Sequence, residues 1–101
     1  MDTKKLAALA AAVRLGSFTR AAEELGYTQS GLTHMMNSLE KDVGFPVLVR
    51  SRTGVRLTPA GQRIFPLVQE CLHGAEALER EILLINTHQE ESVRVAAYDS
   101  I

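Results

Sequence analysis

The stretch Ser17-Phe18-Thr19-Arg20-Ala21-Ala22-Glu23-Glu24-Leu25-Gly26-Tyr27-Thr28-Gln29-Ser30-Gly31-Leu32-Thr33 reads as two amphipathic helices joined by a tight turn. Gly26 supplies the turn, because a residue without Cβ takes positive φ at little cost. Thr19 is a good N-cap for a helix reaching about Leu25. Ala21, Ala22 and Leu25 give that helix a narrow face of small residues, which lets another helix approach closely. Thr28 is the N-cap of the next helix, which runs to about Val43 with Gly44 as its stop. Leu32, Met35 or Met36, Leu39 and Val43 form its buried stripe. Thr28, Gln29, Ser30, Thr33, His34 and Asn37 fall off that stripe. A supporting helix followed by one that opens with short polar groups is the plan of a helix-turn-helix, whose second helix enters the major groove of DNA.

The flanking sequence extends this plan. Leu6, Leu9, Ala10 and Val13 recur at i, i+3, i+4 and i+7, so Thr3 to Leu15 is expected to be helical, capped by Asp2 or Thr3 and ended by Gly16. Residues 45–58 change period. Val47-Leu48-Val49 and Val55-Arg56-Leu57 are β-like, and Ser51-Arg52-Thr53-Gly54 between them is turn chemistry, which predicts a β-hairpin wing. Thr58 then caps a fourth helix with Pro59 at its first position, where proline is favoured. That helix is expected to reach about Asn86. Ile64, Val68, Cys71, Ala75, Leu78, Ile82 and Ile85 follow a heptad a/d seam along it. Its length would be ~42 Å at ~1.5 Å per residue, so it should project from a small head and find a second copy of itself. Pro66 and Gly74 lie inside it. An internal proline costs ~3 kcal/mol, so a bend is expected near Gln62–Pro66, and the unbroken phase of the seam argues against a full break. Thr87–Ser92 reads as a polar hinge, and Val93-Arg94-Val95-Ala96-Ala97-Tyr98 as a strand opening a further domain.

The predicted class is therefore mainly α: a winged helix-turn-helix of three helices plus a β-hairpin wing, followed by a long dimerisation/linker helix. The DNA-binding domain covers residues 1–58 with its helix-turn-helix at about 18–37. The linker helix covers 59–86, the hinge 87–92, and the first strand of a further, truncated domain 93–101.

Composition narrows the alternatives. With 101 residues, 5% aromatic and no Trp, the core must rest on Leu, Ile, Val and Ala. No window approaches ~18 uninterrupted apolar residues, so no membrane span is expected. Arg14 interrupts the early apolar run, and Ser17 and Arg20 stand where a signal-peptide cleavage site would lie; a cytoplasmic location is expected. The single Cys71 cannot form an internal disulfide. The net charge of −1 hides an asymmetry. Residues 1–61 carry eight basic and five acidic side chains, a net of +3, whereas residues 62–101 carry three and seven, a net of −4. A basic head and an acidic tail suit different partners.

The candidate contacts follow from these placements. Thr28, Gln29, Ser30 and Thr33 offer donors and acceptors in the first turns of the reading helix, and a Gln amide can bond adenine through both its atoms. Free N–H groups at that helix start attract phosphate. His34 and Asn37, one turn on, could touch base or phosphate or be solvated. Arg50, Arg52 and Arg56 on the hairpin would contact phosphates or the minor groove. A salt bridge from Arg50 back to Glu40 is the competing reading. Arg20 on the supporting helix completes the candidate DNA-binding set. Cys71 on the seam reads as a small buried hydrophobe. His34, His73 and His88 are scattered, so no metal site is expected. There is no Gly-rich phosphate loop, nucleophile elbow or carboxylate pair, so neither catalysis nor a cofactor is expected.

The sequence resembles the DNA-binding region of LysR-type transcriptional regulators over about residues 2–86. The matching pieces are Leu6 to Val13, Gly16-Ser17-Phe18-Thr19-Arg20-Ala21-Ala22, Thr28-Gln29-Ser30, Leu39-Glu40, Gly44, Arg50 and Leu57-Thr58-Pro59-Ala60-Gly61. The resemblance implies a winged helix-turn-helix that binds a double-stranded DNA operator. It implies a homodimer through the linker helix, usually antiparallel, and often a tetramer in full-length members. It also implies a small-molecule effector bound by a C-terminal domain largely missing here, with Ser100 at a position that often contacts it. Many members carry Pro where Ser30 stands and Arg where His34 stands. Ser30 adds a donor to the first turn, and His34 removes a phosphate or guanine contact, which shifts weight to the wing. Two alternatives remain open: a coiled-coil interaction module that has lost specific DNA binding, and a winged-helix regulator of an unrelated family that dimerises elsewhere.

Overall fold

A computed structural model describes the backbone of residues 2–99 and the side chains of residues 2–88. Its elements in chain order are α1 (Thr3–Leu15), α2 (Phe18–Leu25), α3 (Gln29–Val43), β1 (Leu48–Ser51), β2 (Gly54–Leu57) and α4 (Pro59–Asp99). The first three helices end on Gly16, Gly26 and Gly44 in the left-handed conformation.

Asp2 caps α1, its side chain accepting from the Lys5 N–H. The cap of α2 differs from the sequence expectation. Ser17, not Thr19, is the extended residue, and its Oγ accepts from the Arg20 N–H at 3.2 Å. Phe18 is therefore already helical, which turns its ring into the core. The core is shared by all three head helices. Leu9, Leu32, Leu39 and Val47 are its largest fully buried side chains. Helix α1 packs against α2, α3, α4 and β2, so it buries more than one stripe: Leu6, Ala8, Leu9, Ala11 and Ala12 go inside, while Ala10 and Val13 sit at the margin.

The hairpin forms where expected. Its antiparallel register pairs Leu48 with Leu57, Val49 with Arg56, Arg50 with Val55 and Ser51 with Gly54. The chain entering it is pinned by Glu40, whose Oε2 accepts from the N–H groups of Val47 (2.5 Å) and Leu48 (3.2 Å). The chain leaving it is pinned by Thr58. Its N–H donates to the Val47 carbonyl at 2.9 Å, its hydroxyl donates to the Pro46 carbonyl at 2.7 Å, and its Oγ1 accepts from the Gly61 N–H at 2.9 Å. Gly61 is buried hard against this junction, where a Cβ would lie 2.4 Å from the Val47 carbonyl oxygen.

Three expectations about the fourth helix change. It runs continuously through Pro66 and on to Asp99, so the residues expected as a hinge (87–92) and as a strand (Val93–Tyr98) are helical in this chain. A helix closes its own backbone hydrogen bonds within the segment. Ser100 lies outside the described residues. Finally, the seam divides. Val68 is 6% exposed within the head core and Ile64 packs beside it, whereas Leu78, Ile82 and Ile85 are 61%, 49% and 47% exposed. Ile64 and Val68 are thus taken up by the head, because α4 lies on α1 before it projects.

Candidate nucleic-acid interface

The N-terminus of α3 is built by Thr28. Its backbone is extended, and its Oγ1 accepts from the Gly31 N–H at 3.0 Å and lies 3.3 Å from Ser30 Oγ. Ser30 therefore joins the cap as well as facing outward. Leu32, Met36 and Leu39 hold the opposite side of α3 in the core. That leaves Gln29, Ser30, His34 and Asn37 exposed, with Thr33 half-buried between them. Residues 29, 33 and 37 are each one turn apart along the outer face. The sequence grouping thus forms one surface.

The three hairpin arginines do not form one group. Side chains alternate across a strand, and directly paired residues share a face. Arg50 and its partner Val55 share one face, and Arg56 and its partner Val49 the other. Arg50 lies on the face toward the helices while remaining exposed to solvent. Its Cζ lies 4.1 Å from the centroid of the Phe18 ring, and its Nη1 donates to Thr33 Oγ1 at 3.2 Å. The expected alternative partner, Glu40, is occupied by the Val47 and Leu48 N–H groups instead. Arg52 stands at the exposed hairpin tip, and Arg56 is exposed on the other face.

A polar concavity of about 250 Å³ joins these parts, lined in part by Ser17, Thr19, Gln29, Arg50, Arg52 and Thr53. It brings the start of α2, the start of α3 and the wing together. Ser17, Thr19 and Thr53 were not among the sequence candidates; their signal was the polar cluster at the start of α2 and in the hairpin turn. Arg20 is exposed on α2 but does not line this concavity. The hairpin turn is docked on the α1–α2 turn through Val55, whose N–H donates to the Gly16 carbonyl at 3.2 Å. Gly54 has φ +126°, and a Cβ there would lie 2.7 Å from that same carbonyl oxygen. The wing is thus set against the helices by backbone contact.

A second, apolar groove of about 420 Å³ lies on another side of the head, between α1, the end of α3 and α4, and Ile64, Leu67, Val68 and Cys71 line one wall. Cys71 is exposed rather than buried. Beyond it Ala75 is half-buried, and Leu78, Ile82 and Ile85 are open to solvent. Among the described residues no three His, Cys, Asp or Glu side chains stand close enough to hold a metal ion. Nor is any described helix long and apolar enough to cross a membrane.

A three-helix head carrying a hairpin against the second of two turn-linked helices defines the winged helix-turn-helix class. Residues 3–62 match the model of the bacterial regulatory helix-turn-helix proteins of the lysR family. The chain belongs to that family, whose members regulate transcription and are not enzymes, and it constitutes a LysR-type helix-turn-helix DNA-binding domain. It is 34% identical over 97 residues to the HTH-type transcriptional regulator HdfR of Yersinia pestis (strain Pestoides F), covering 96% of this chain and 33% of the relative. HdfR of Yersinia pseudotuberculosis (serotype O:1b, strain IP 31758) gives the same identity and coverage. The chain thus spans about a third of the length of these curated relatives. Among solved structures it is similar to the CbnR_DBD-DNA complex, with 28% identity, TM-score 0.76 and coverage of 83% of this chain and 97% of that one. It is also similar to the BenM_DBD/catB site 1 DNA complex, with 27% identity, TM-score 0.78 and coverage of 84% and 96%.

Proposed function

We propose that this chain binds a specific double-stranded operator by laying the start of α3 in the major groove. The observation that carries this reading is the outer face of α3, where Gln29, Ser30, Thr33, His34 and Asn37 stand clear of the core beside a wing fixed to the same helices. Gln29 is the leading base reader, since its amide can satisfy both edge atoms of adenine. Arg52 at the wing tip, Arg56 and Arg20 serve as backbone anchors, which position the protein without carrying sequence information. The similarity to two regulators solved in complex with DNA supports the same reading.

The exposed part of the seam, Leu78, Ile82 and Ile85, supports a homodimer through α4, with Cys71 and Ala75 at its head-proximal end. In a regulator of the relatives' length, assembly into tetramers and small-molecule sensing would rest on sequence beyond this chain, and Ser100 would stand near the effector. A DNA-binding regulator of this kind acts in the cytoplasm.

The test is a mobility-shift series with Gln29→Ala on duplexes varied one base pair at a time. The variant is expected to lose ~1–3 kcal/mol of discrimination at a single position. An equal loss on specific and random duplexes would remove Gln29 from base reading.

A further inference from the structure

Arg50 is built unlike a phosphate anchor. Its guanidinium lies over the ring of Phe18, a side chain only 5% exposed, and one of its N–H groups donates to the Thr33 hydroxyl. It therefore ties the wing to α2 and α3 at once, through two contacts a lysine ammonium is poorly shaped to make together: a guanidinium over the ring and a directed N–H donation to the hydroxyl.

The bond to Thr33 also has a direction. A threonine hydroxyl has one hydrogen and two lone pairs. An arginine can only donate, so the Thr33 oxygen is the acceptor in this pair and its own hydrogen remains to be given elsewhere. In a helix the usual recipient is the carbonyl four residues back, as Thr87 shows by donating to the Leu83 carbonyl at 2.9 Å. Thr33 makes no such bond; Arg50 is its hydrogen-bond partner among the described residues.

We propose that Arg50 is a positioning residue that fixes Thr33 as a hydrogen-bond donor toward an acceptor on a base edge. The acceptors available in the major groove are purine N7, guanine O6 and thymine O4, which take the Thr33 hydrogen, whereas the amino groups of cytosine and adenine can reach only the hydroxyl's one remaining lone pair. This inference rests on the major-groove placement of α3 and assigns a chemical polarity to one of its contacts.

The test measures binding of the full 101-residue chain to a selected duplex and to its single-base-pair substitutions. Thr33→Val keeps the shape and removes the hydroxyl. It is expected to cost about tenfold in preference at one base pair where the wild-type chain favours guanine O6 or thymine O4 over an amino group at the same place, the scale of one hydrogen bond. Thr33→Ser should retain that preference. Arg50→Lys, which keeps the charge, should lose preference at the same base pair, and the double variant with Thr33→Val should lose no more than either single one. Unchanged preference in Thr33→Val, or a loss spread evenly over all duplexes, would overturn the proposal. So would an Arg50→Lys variant that weakens binding uniformly while leaving the base profile intact. Should Arg50→Lys fail to fold, the Val and Ser variants at Thr33 still decide the donor assignment. A wild-type chain with no preference among duplexes would instead overturn the underlying reading of α3.

Discussion

At the residue scale, two glycines of α4 make opposite demands. Gly61 is buried at the junction of the wing and α4, and a Cβ there would collide with the Val47 carbonyl oxygen at 2.4 Å. Gly74 has nothing within 4 Å of the corresponding position. Gly61→Ala should lower stability by about 1–3 kcal/mol through overpacking, and Gly74→Ala should raise it by about 1 kcal/mol through helix propensity. Urea unfolding of both variants checks the pair; a harmless Gly61→Ala would mean that the junction can open without cost. Much at this scale was legible. Thr28 as a cap and the outward set from Gln29 to Asn37 follow from local spacing. The inward turn of Arg50 was also within reach, since strand parity puts it on the face of Leu48, Val55 and Leu57. What lay beyond local reasoning was its pairing with Phe18 and Thr33, because those contacts join segments distant in sequence.

At the element scale, α1 and α3 are joined by an ion pair between Lys5 and Asp42 at 2.8 Å. The hydrogen bond from Lys5 holds the Asp42 carboxyl below its ordinary value, against a smaller opposing effect of desolvation. A carboxyl depressed in the folded state stabilises it above the unfolded pKa, about 3.9 for aspartate, and loses that contribution as pH falls through the lower folded value. Asp42→Asn should therefore flatten the loss of thermal stability below about pH 4 and leave the profile at neutral pH nearly flat, as both sides of the pair are partly solvated. An unchanged acid limb would assign it to other carboxylates. Element boundaries were well read where the signal is local: the glycines after α1, α2 and α3, the Ser51–Gly54 turn and the Thr58-Pro59 start of α4. The residues Val93–Tyr98, expected as a strand, are helical as the end of α4.

At the scale of the whole molecule, α4 sets the shape. The molecule measures 68 × 26 × 20 Å, with a small head at one end and the helix carrying Leu78, Ile82 and Ile85 far from it. The heptad pattern identified that seam, but periodicity alone cannot tell a residue packed on its own head from one awaiting a second copy. Ile64 and Val68 belong to the first kind. If α4 forms the proposed dimer, replacing Leu78 and Ile82 with lysine should yield a monomer by sedimentation while the head stays folded; an undisturbed dimer would place the interface elsewhere. The basic head and acidic tail agree with DNA at one end and protein at the other.

The central claim is that the start of α3 and the wing together read a base sequence, and selection of bound duplexes from a random pool tests it most directly. The account predicts enrichment of a defined half-site, repeated at a spacing of whole helical turns as a two-fold dimer requires. A pool whose sequence remains random after repeated selection would contradict it.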